Sequence, residues 1–235
     1  MIISFSGGAL NVAYHIGAYN RLKRSKLLNN EELIFAGTSS GSIMAVSCAC
    51  NIDIERIFVS NLRFMNSSQA FCSIIRKILT KELPENAHIL CNNKVKICMT
   101  RQNNLTPLYV SKFSSKSDVI NAVIGSCFIP KMTSSNLKYI YNYKHDDGNI
   151  ESVNVLDGSF SDFLPKGNIR ISCIPLEIIK YFPTLTEKSS VTISLKSKLY
   201  ENLYVMTVGK PEYYTTILTQ GYLDMDNYLN SIMVQ

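Results

Sequence analysis

Leu33-Ile34-Phe35-Ala36-Gly37-Thr38-Ser39-Ser40-Gly41-Ser42-Ile43-Met44-Ala45-Val46 joins an apolar strand-like run to an apolar helix-like run through one short turn. Four apolar residues followed by glycine fit a short, buried strand. From residue 40 to residue 50 almost every position is small or apolar, and a helix apolar on all sides belongs inside a core. The junction, Gly37-Thr38-Ser39-Ser40-Gly41, fits G-x-S-x-G, where a strained strand-to-helix turn lifts a serine hydroxyl clear of the backbone. Ser39 is therefore the candidate nucleophile. A strand that feeds directly into a buried helix is also the building unit of α/β folds.

The same arrangement occurs once upstream. Met1-Ile2-Ile3-Ser4-Phe5 is strand-like and runs into Ser6-Gly7-Gly8-Ala9-Leu10. A helix is expected over residues 11–26, because Val12, Ala13, Ile16, Tyr19 and Leu22 recur at three- and four-residue steps. Arg21, Lys23, Arg24 and Lys26 crowd its end, where positive charge complements the helix dipole. Backbone without side chains can approach a substrate closely, so Gly7 and Gly8 are expected to donate amides to an oxyanion. In a parallel sheet both turns lie at the carboxyl ends of their strands, where open α/β sheets bind ligands.

Further along, helices are expected over residues 53–65, with Asp53 as N-cap, and 71–79. The second is basic and amphipathic; core packing is the expected role, with lipid docking or lid action as the alternative. Strands are expected over 94–100 and 108–113, then a helix over 117–127 ended by Pro130. Residues 139–143 and 153–156 bracket Asp146-Asp147-Gly148 as a hairpin. A strand over 168–174 and a helix over 211–233 complete the reading. The expectation is one α/β domain over residues 1–235, with a mostly parallel sheet covered on both faces.

With 24 basic and 18 acidic residues the net charge of the 235-residue chain is +6, scattered along it. That favours anionic surfaces, but no basic-aromatic module recurs, which argues against nucleic acid. No apolar run approaches the roughly 20 residues of a membrane span. Met1 opens into a strand without a leader pattern, so a cytoplasmic protein is expected, with peripheral membrane association open to it. The seven cysteines lie mostly in apolar segments and are expected to be reduced and buried. Neither a metal site nor a cofactor is expected. The oligomeric state is not legible.

A serine nucleophile needs a base. The histidines are His15, His88 and His145. His88 and His145 lie in polar stretches and are expected on exposed loops; His15 is expected to pack on its helix. A Ser-acid-His triad ending at His145 remains an alternative. Val155-Leu156-Asp157-Gly158-Ser159 puts Asp157 at the end of an apolar strand. Such an Asp-Gly can be a plain turn, but its position at a strand end makes Asp157 the better base.

These blocks resemble the patatin-like phospholipase family, especially its animal triglyceride-lipase branch. Residues 4–17, with Ser6-Gly7-Gly8-Ala9 and Tyr14-His15-Ile16-Gly17, are similar to the family's glycine-rich opening. Gly37-Thr38-Ser39-Ser40-Gly41 resembles its elbow, and Gly125-Ser126-Cys127-Phe128-Ile129-Pro130 its Ala-Ser-Cys-x-x-Pro helix end. Asp157-Gly158-Ser159 is similar to its Asp-Gly-Gly or Asp-Gly-Ala, and Gln220-Gly221-Tyr222 to a late helix. The resemblance implies a three-layer α/β/α fold and a histidine-free dyad of Ser39 and Asp157 that forms an acyl-enzyme. It implies an oxyanion hole from the Gly7, Gly8 and Ala9 amides, no metal, and a lipid ester at a membrane or droplet surface as substrate. Ala9 stands where many members have a third glycine, Asn11 where a basic residue is common, and Val12 where glycine is common. A catalytically weak or inactive lipid-binding protein on the same fold is the alternative these departures raise.

Overall fold

The computed structural model describes residues 1–29, 32–61, 70–183, 191–196 and 211–233. Strand β1 (Ile2–Phe5) leads through a 3-10 turn (Ala9–Asn11) into helix α1 (Val12–Lys23). β2 (Ile34–Thr38) passes into α2 (Ser40–Ala49) with only Ser39 between them. Next come α3 (Ile54–Asn61), α4 (Phe71–Glu82), α5 (Ala87–Cys91), β3 (Val95–Arg101) and β4 (Pro107–Val110). α6 (Lys116–Ser126) is followed by the hairpin of β5 (Ile140–Lys144) and β6 (Ile150–Asp157). β7 (Ile169–Ser172), α7 (Leu176–Ile179), β8 (Val191–Ser194) and α8 (Pro211–Met233) end the chain.

The described strands form one sheet in the order β5-β6-β3-β2-β1-β7-β8, with β4 paired to β3. β3, β2, β1, β7 and β8 are parallel; β4, β5 and β6 are antiparallel and gathered at one side. Helices complete a three-layer α/β/α arrangement. The middle strands are buried on both faces: Ile3, Phe5, Ile97 and Ile171 on one, and Ser4, Ala36, Cys98 and Ser172 on the other, are at most 1% exposed, as parallel strands between helix layers require.

One detail of the sheet decides where the site lies. Ile97 and Cys98 pair with Gly37 and Thr38 of β2 and also with Val110 and Tyr109 of β4. Met99 and Thr100 pair with β4 and with Asp157 and Leu156 of β6. A strand has two edges, so β6 takes the edge of β3 that β2 leaves after Thr38. Asp157 is thereby delivered, head-on, to the carboxyl end of β2.

Close backbone approach holds the layers together at two places. A Cβ on Gly41 would lie 2.3 Å from the Phe5 carbonyl oxygen, and one on Gly37 2.0 Å from that of Gly41. The start of α2 therefore rests directly on the end of β1. At the second place α1 crosses α8, where a Cβ on Gly17 would lie 1.8 Å from Leu218 O and one on Gly221 2.2 Å from Tyr14 O. Tyr14 OH to Asp224 (2.8 Å) and Arg21 to Asp226 (2.5 Å) fasten the same crossing.

The expected elements recur with shifted ends. α1 stops at Lys23, because the Ser25 amide and hydroxyl both turn back to Leu22 O. Asp53 caps α3 through a bond from the Arg56 amide (3.0 Å); residues 62–65 of that expected helix lie outside the described residues. Ser115 caps α6, accepting from the Asp118 amide. His88, expected on a loop, lies on the short helix α5 and is half-buried. α7 and β8 went unforeseen: their four-residue apolar runs carry little periodicity of their own.

Gly41→Ala is expected to lower stability by about 3 kcal/mol, since rigid backbone meets the new methyl. Gly148→Ala, in open space at φ 87°, should cost only ~1 kcal/mol. Urea denaturation of the two variants checks the difference.

Candidate active site

Ser39 occupies φ 53°, ψ −125°, a region that L-residues enter at a cost of roughly 1–3 kcal/mol. Three anchors hold it there. Its amide donates to Ser126 Oγ (2.8 Å), and that hydroxyl donates to Cys98 O (2.6 Å). Its carbonyl accepts from the Ser42 amide (2.9 Å) and hydroxyl (2.6 Å) in the first turn of α2. Beside it, Thr38 Oγ1 donates to Asp162 O (2.9 Å). Thr38 and Ser40 are buried while Ser39 keeps partial exposure. This is a serine presented outward on a fixed backbone.

Asp157 closes the site from the opposite side. It is 3% exposed at the end of β6, its amide donating to Phe128 O (2.7 Å) and its carbonyl accepting from Thr100 Oγ1 (2.8 Å). The Ser159 amide donates to Oδ1 (2.9 Å). Burial lifts the carboxyl above the ordinary aspartate range, opposed by hydrogen bonds from the Ser39 side chain and from the Ser159 amide and hydroxyl. The Ser39 side chain therefore lies close enough to Asp157 to favour its ionised form. The Cys127 thiol adjoins both, and burial pushes it well up.

The glycine turn borders the elbow, since α2 rests on Phe5 and Ser6. Its three expected amide donors behave differently. The Gly7 amide is engaged with Phe163 O (3.0 Å), and a Cβ on Gly7 would lie 2.3 Å from Ser159 Oγ. That position serves packing, and its N–H is already spent. Gly8 (φ 151°) and Ala9 (φ 48°) carry amides with no backbone acceptor among the described residues. Ala9 holds a left-handed conformation that costs a non-glycine residue about 1–2 kcal/mol. The turn is buttressed by Ser6 Oγ, which donates to Gly7 O (2.7 Å), and by Cys173 Sγ, also bonded to Gly7 O (3.1 Å).

The histidines lie elsewhere. His15 is fully buried, 3.3 Å from Ser6 Oγ, and burial lowers it to about 3, so it is neutral at physiological pH. His145 sits at the tip of the β5–β6 hairpin against Glu151 (3.1 Å), the whole length of β6 from Asp157, on the order of 20 Å at ~3.3 Å per residue. Ser126 carries no role in the sequence reading; the signal that marks it is a serine at the end of an apolar helix, four residues before Pro130. The seven cysteines are free and buried. Among the described residues no group of His, Cys, Asp and Glu could hold a metal, and no helix is long and apolar enough to cross a membrane.

A small cleft, with a cavity volume of about 30 Å³, lies between the glycine turn, α2, α3 and α4. Ala9, Leu10, Ser40, Ile43, Phe58 and Leu79 are among its walls; every described lining residue except Ser40 is apolar. α4 accordingly packs inward through Phe71, Ile75, Ile78 and Leu79.

Ser126→Ala leaves the elbow amide and Cys98 O without their shared partner, and should cost about 1–3 kcal/mol in chemical denaturation. Asp157→Asn should do the reverse. The folded carboxyl titrates above its unfolded value, so its ionisation opposes folding once pH passes the unfolded value. The variant's denaturation midpoint should exceed the wild type's at pH 7.5, and the gain should vanish as pH falls through the carboxylate range.

Residues 3–74 match the family model for patatin-like phospholipases. The chain is 31% identical over 168 residues to the Mus musculus 1-acylglycerol-3-phosphate O-acyltransferase Pnpla3, covering 66% of this chain and 41% of that protein. It is 30% identical over 141 residues to the Homo sapiens omega-hydroxyceramide transacylase, covering 54% and 26%. It is 25% identical over 241 residues to Mus musculus patatin-like phospholipase domain-containing protein 5, covering 97% and 56%. Among solved structures, VipD from Legionella pneumophila superposes with a TM-score of 0.51 at 11% identity, over 98% of this chain and 66% of that one. The chain thus spans less than two thirds of each of these proteins. The match over residues 3–74 and these relatives support a patatin-like phospholipase family for the chain, whose glycine turn, elbow and Asp-Gly block all lie at the carboxyl end of one sheet.

Proposed function

We propose that residues 1–235 form one catalytic domain that cleaves lipid acyl esters through Ser39 and Asp157. The observation that carries this reading is the strained, partly exposed Ser39 held beside a buried carboxylate whose titration it influences. The family match supports lipid acyl chemistry, as hydrolysis or transfer. In the forward step Ser39 Oγ attacks the acyl carbonyl and its proton passes to Asp157. Burial raises the basicity of that carboxylate, which suits a general base. The negative charge on the tetrahedral oxygen is met by the Gly8 and Ala9 amides; one such donor is typically worth 100- to 1000-fold in rate. Asp157 then hands the proton to the departing alkoxide, leaving an acyl-enzyme. A second nucleophile, deprotonated by Asp157, releases the acyl group and restores Ser39.

The second nucleophile is water in hydrolysis and an alcohol in transfer. Two relatives bear acyltransferase names, and the same acyl-enzyme serves either outcome. The setting we infer is a lipid surface with the protein bound peripherally, in the cytoplasm.

The test is labelling with a fluorophosphonate followed by peptide mapping, and turnover of a lipid panel with product analysis. Ser39 should carry the adduct, and Ser39→Ala should lose about a thousandfold or more in kcat. His145→Ala should stay within twofold of wild type. Vesicle binding without released or transferred fatty acid, unchanged by Ser39→Ala, would instead identify a non-catalytic lipid-binding protein.

A further inference from the structure

The peptide between Gly7 and Gly8 is held by side chains from one side. Its carbonyl accepts from Ser6 Oγ (2.7 Å) and from Cys173 Sγ (3.1 Å), which occupies both lone pairs of Gly7 O. The two donors are themselves fixed. The Cys173 amide donates to Ser6 Oγ (3.2 Å), and His15 Nε2 lies 3.3 Å from the same oxygen. Ser6, His15 and Cys173 are fully buried. Burial pushes the Cys173 thiol up to about 12, so it keeps its proton at neutral pH and can donate. A Cβ on Gly8 would lie 2.0 Å from Cys173 Sγ, so the sulfur also packs against the far end of this peptide.

The side from which the peptide is held decides where its amide points. None of the described peptide bonds is cis, and in a planar trans peptide the C=O and N–H point in opposite directions. Cys173 follows β7, which pairs with one edge of β1, whereas Ser39 follows β2 on the other edge. With Gly7 O drawn to the β7 side, the Gly8 N–H is turned to the side of Ser39. That amide has no backbone acceptor among the described residues. Gly8 itself sits at φ 151°, which glycine adopts without a steric penalty.

We propose that Ser6 and Cys173 are positioning residues for the reaction: together they clamp Gly7 O and so aim the Gly8 amide at the oxygen that becomes negative when Ser39 attacks. The proposal rests on the reading of Ser39 as nucleophile for its catalytic consequence; the clamp on Gly7 O is independent of it. Two donors on one carbonyl make the clamp redundant, so the loss of either is partly covered by the other. Loss of both frees the peptide to rotate, and the oxyanion then loses a donor although Gly8 is unchanged.

The test compares Ser6→Ala, Cys173→Ala, their double variant and Cys173→Ser with the wild type. Steady-state turnover of p-nitrophenyl octanoate and affinity for octyl trifluoromethyl ketone are measured. Ser39 Oγ adds to the carbonyl carbon of that ketone, its proton passes to Asp157, and the ketone oxygen becomes an oxyanion that needs the same amides. Each single alanine variant should lower kcat about three- to tenfold and the double variant about a hundredfold, the loss of one oxyanion donor, with KM within about twofold of wild type. Ketone affinity should fall in step with kcat. Cys173→Ser, which returns a donor to Gly7 O, should recover most of what Cys173→Ala loses. A lower thermal midpoint with kcat and ketone affinity unchanged well below it would reveal a merely structural role and overturn the proposal. If the double variant does not fold, the two single variants and Cys173→Ser carry the same comparison.

The orientation of the peptide is read apart from activity in crystal structures. Gly7 O should face Cys173 in the wild type and leave that side in the double variant. A peptide that keeps its orientation in the double variant, or undiminished turnover by it, overturns the clamp and leaves the hydrolase reading standing. Absence of Ser39-dependent turnover and of ketone binding in the wild type overturns the hydrolase reading, and the crystal structures alone then decide the clamp.

Discussion

The fold turns on the contact between the start of α2 and the end of β1. Gly41 lies against the carbonyls of Phe5 and Ser6, and Gly37 against Gly41. With no Cβ at either position, α2 descends until backbone meets backbone. That contact sets the elbow after β2 beside the glycine turn after β1, and the two turns become walls of one site. Any methyl there would separate the layers before it affected chemistry.

The second contribution comes from the far edge of β3. Because β2 ends at Thr38, the next stretch of that edge is open, and β6 fills it in the opposite direction. Asp157 is the residue of β6 that meets the end of β2. Its neighbours are tied to the elbow by separate routes: Thr38 Oγ1 to Asp162 O, and Ser39 N through Ser126 to Cys98 O. Strain at Ser39 and an ionisable group in a dry place both cost stability. The surrounding hydrogen bonds offset part of that cost and keep the geometry single-valued.

The glycine turn carries its own strain and its own unpartnered groups. Ala9 takes a left-handed φ of 48°, a conformation that glycine would adopt at less cost. Asn11 is fully buried with both side-chain polar atoms unpartnered. The turn nonetheless holds its shape, because Ser6, Cys173 and Phe163 bind its backbone from behind. Its amides at Gly8 and Ala9 remain, while Gly7 is spent on that support.

By itself the sequence determined the local units: two strand–turn–helix junctions, a hairpin, an Asp-Gly at a strand end, and buried unpaired cysteines. These follow from hydrophobic period and turn chemistry, which act over a few residues. It also marked Asp157 as the expected base, since a strand end is a local feature. Which groups meet was decided only by the tertiary structure. Ser39 N reaches a hydroxyl 87 positions away, and Thr38 a carbonyl 124 positions away. No periodicity reports such pairs. The Gly7 amide looked equivalent to its neighbours until Phe163, from a distant loop, took it. The apolar cleft was likewise invisible, because its walls come from separate segments whose inward faces each read as ordinary core.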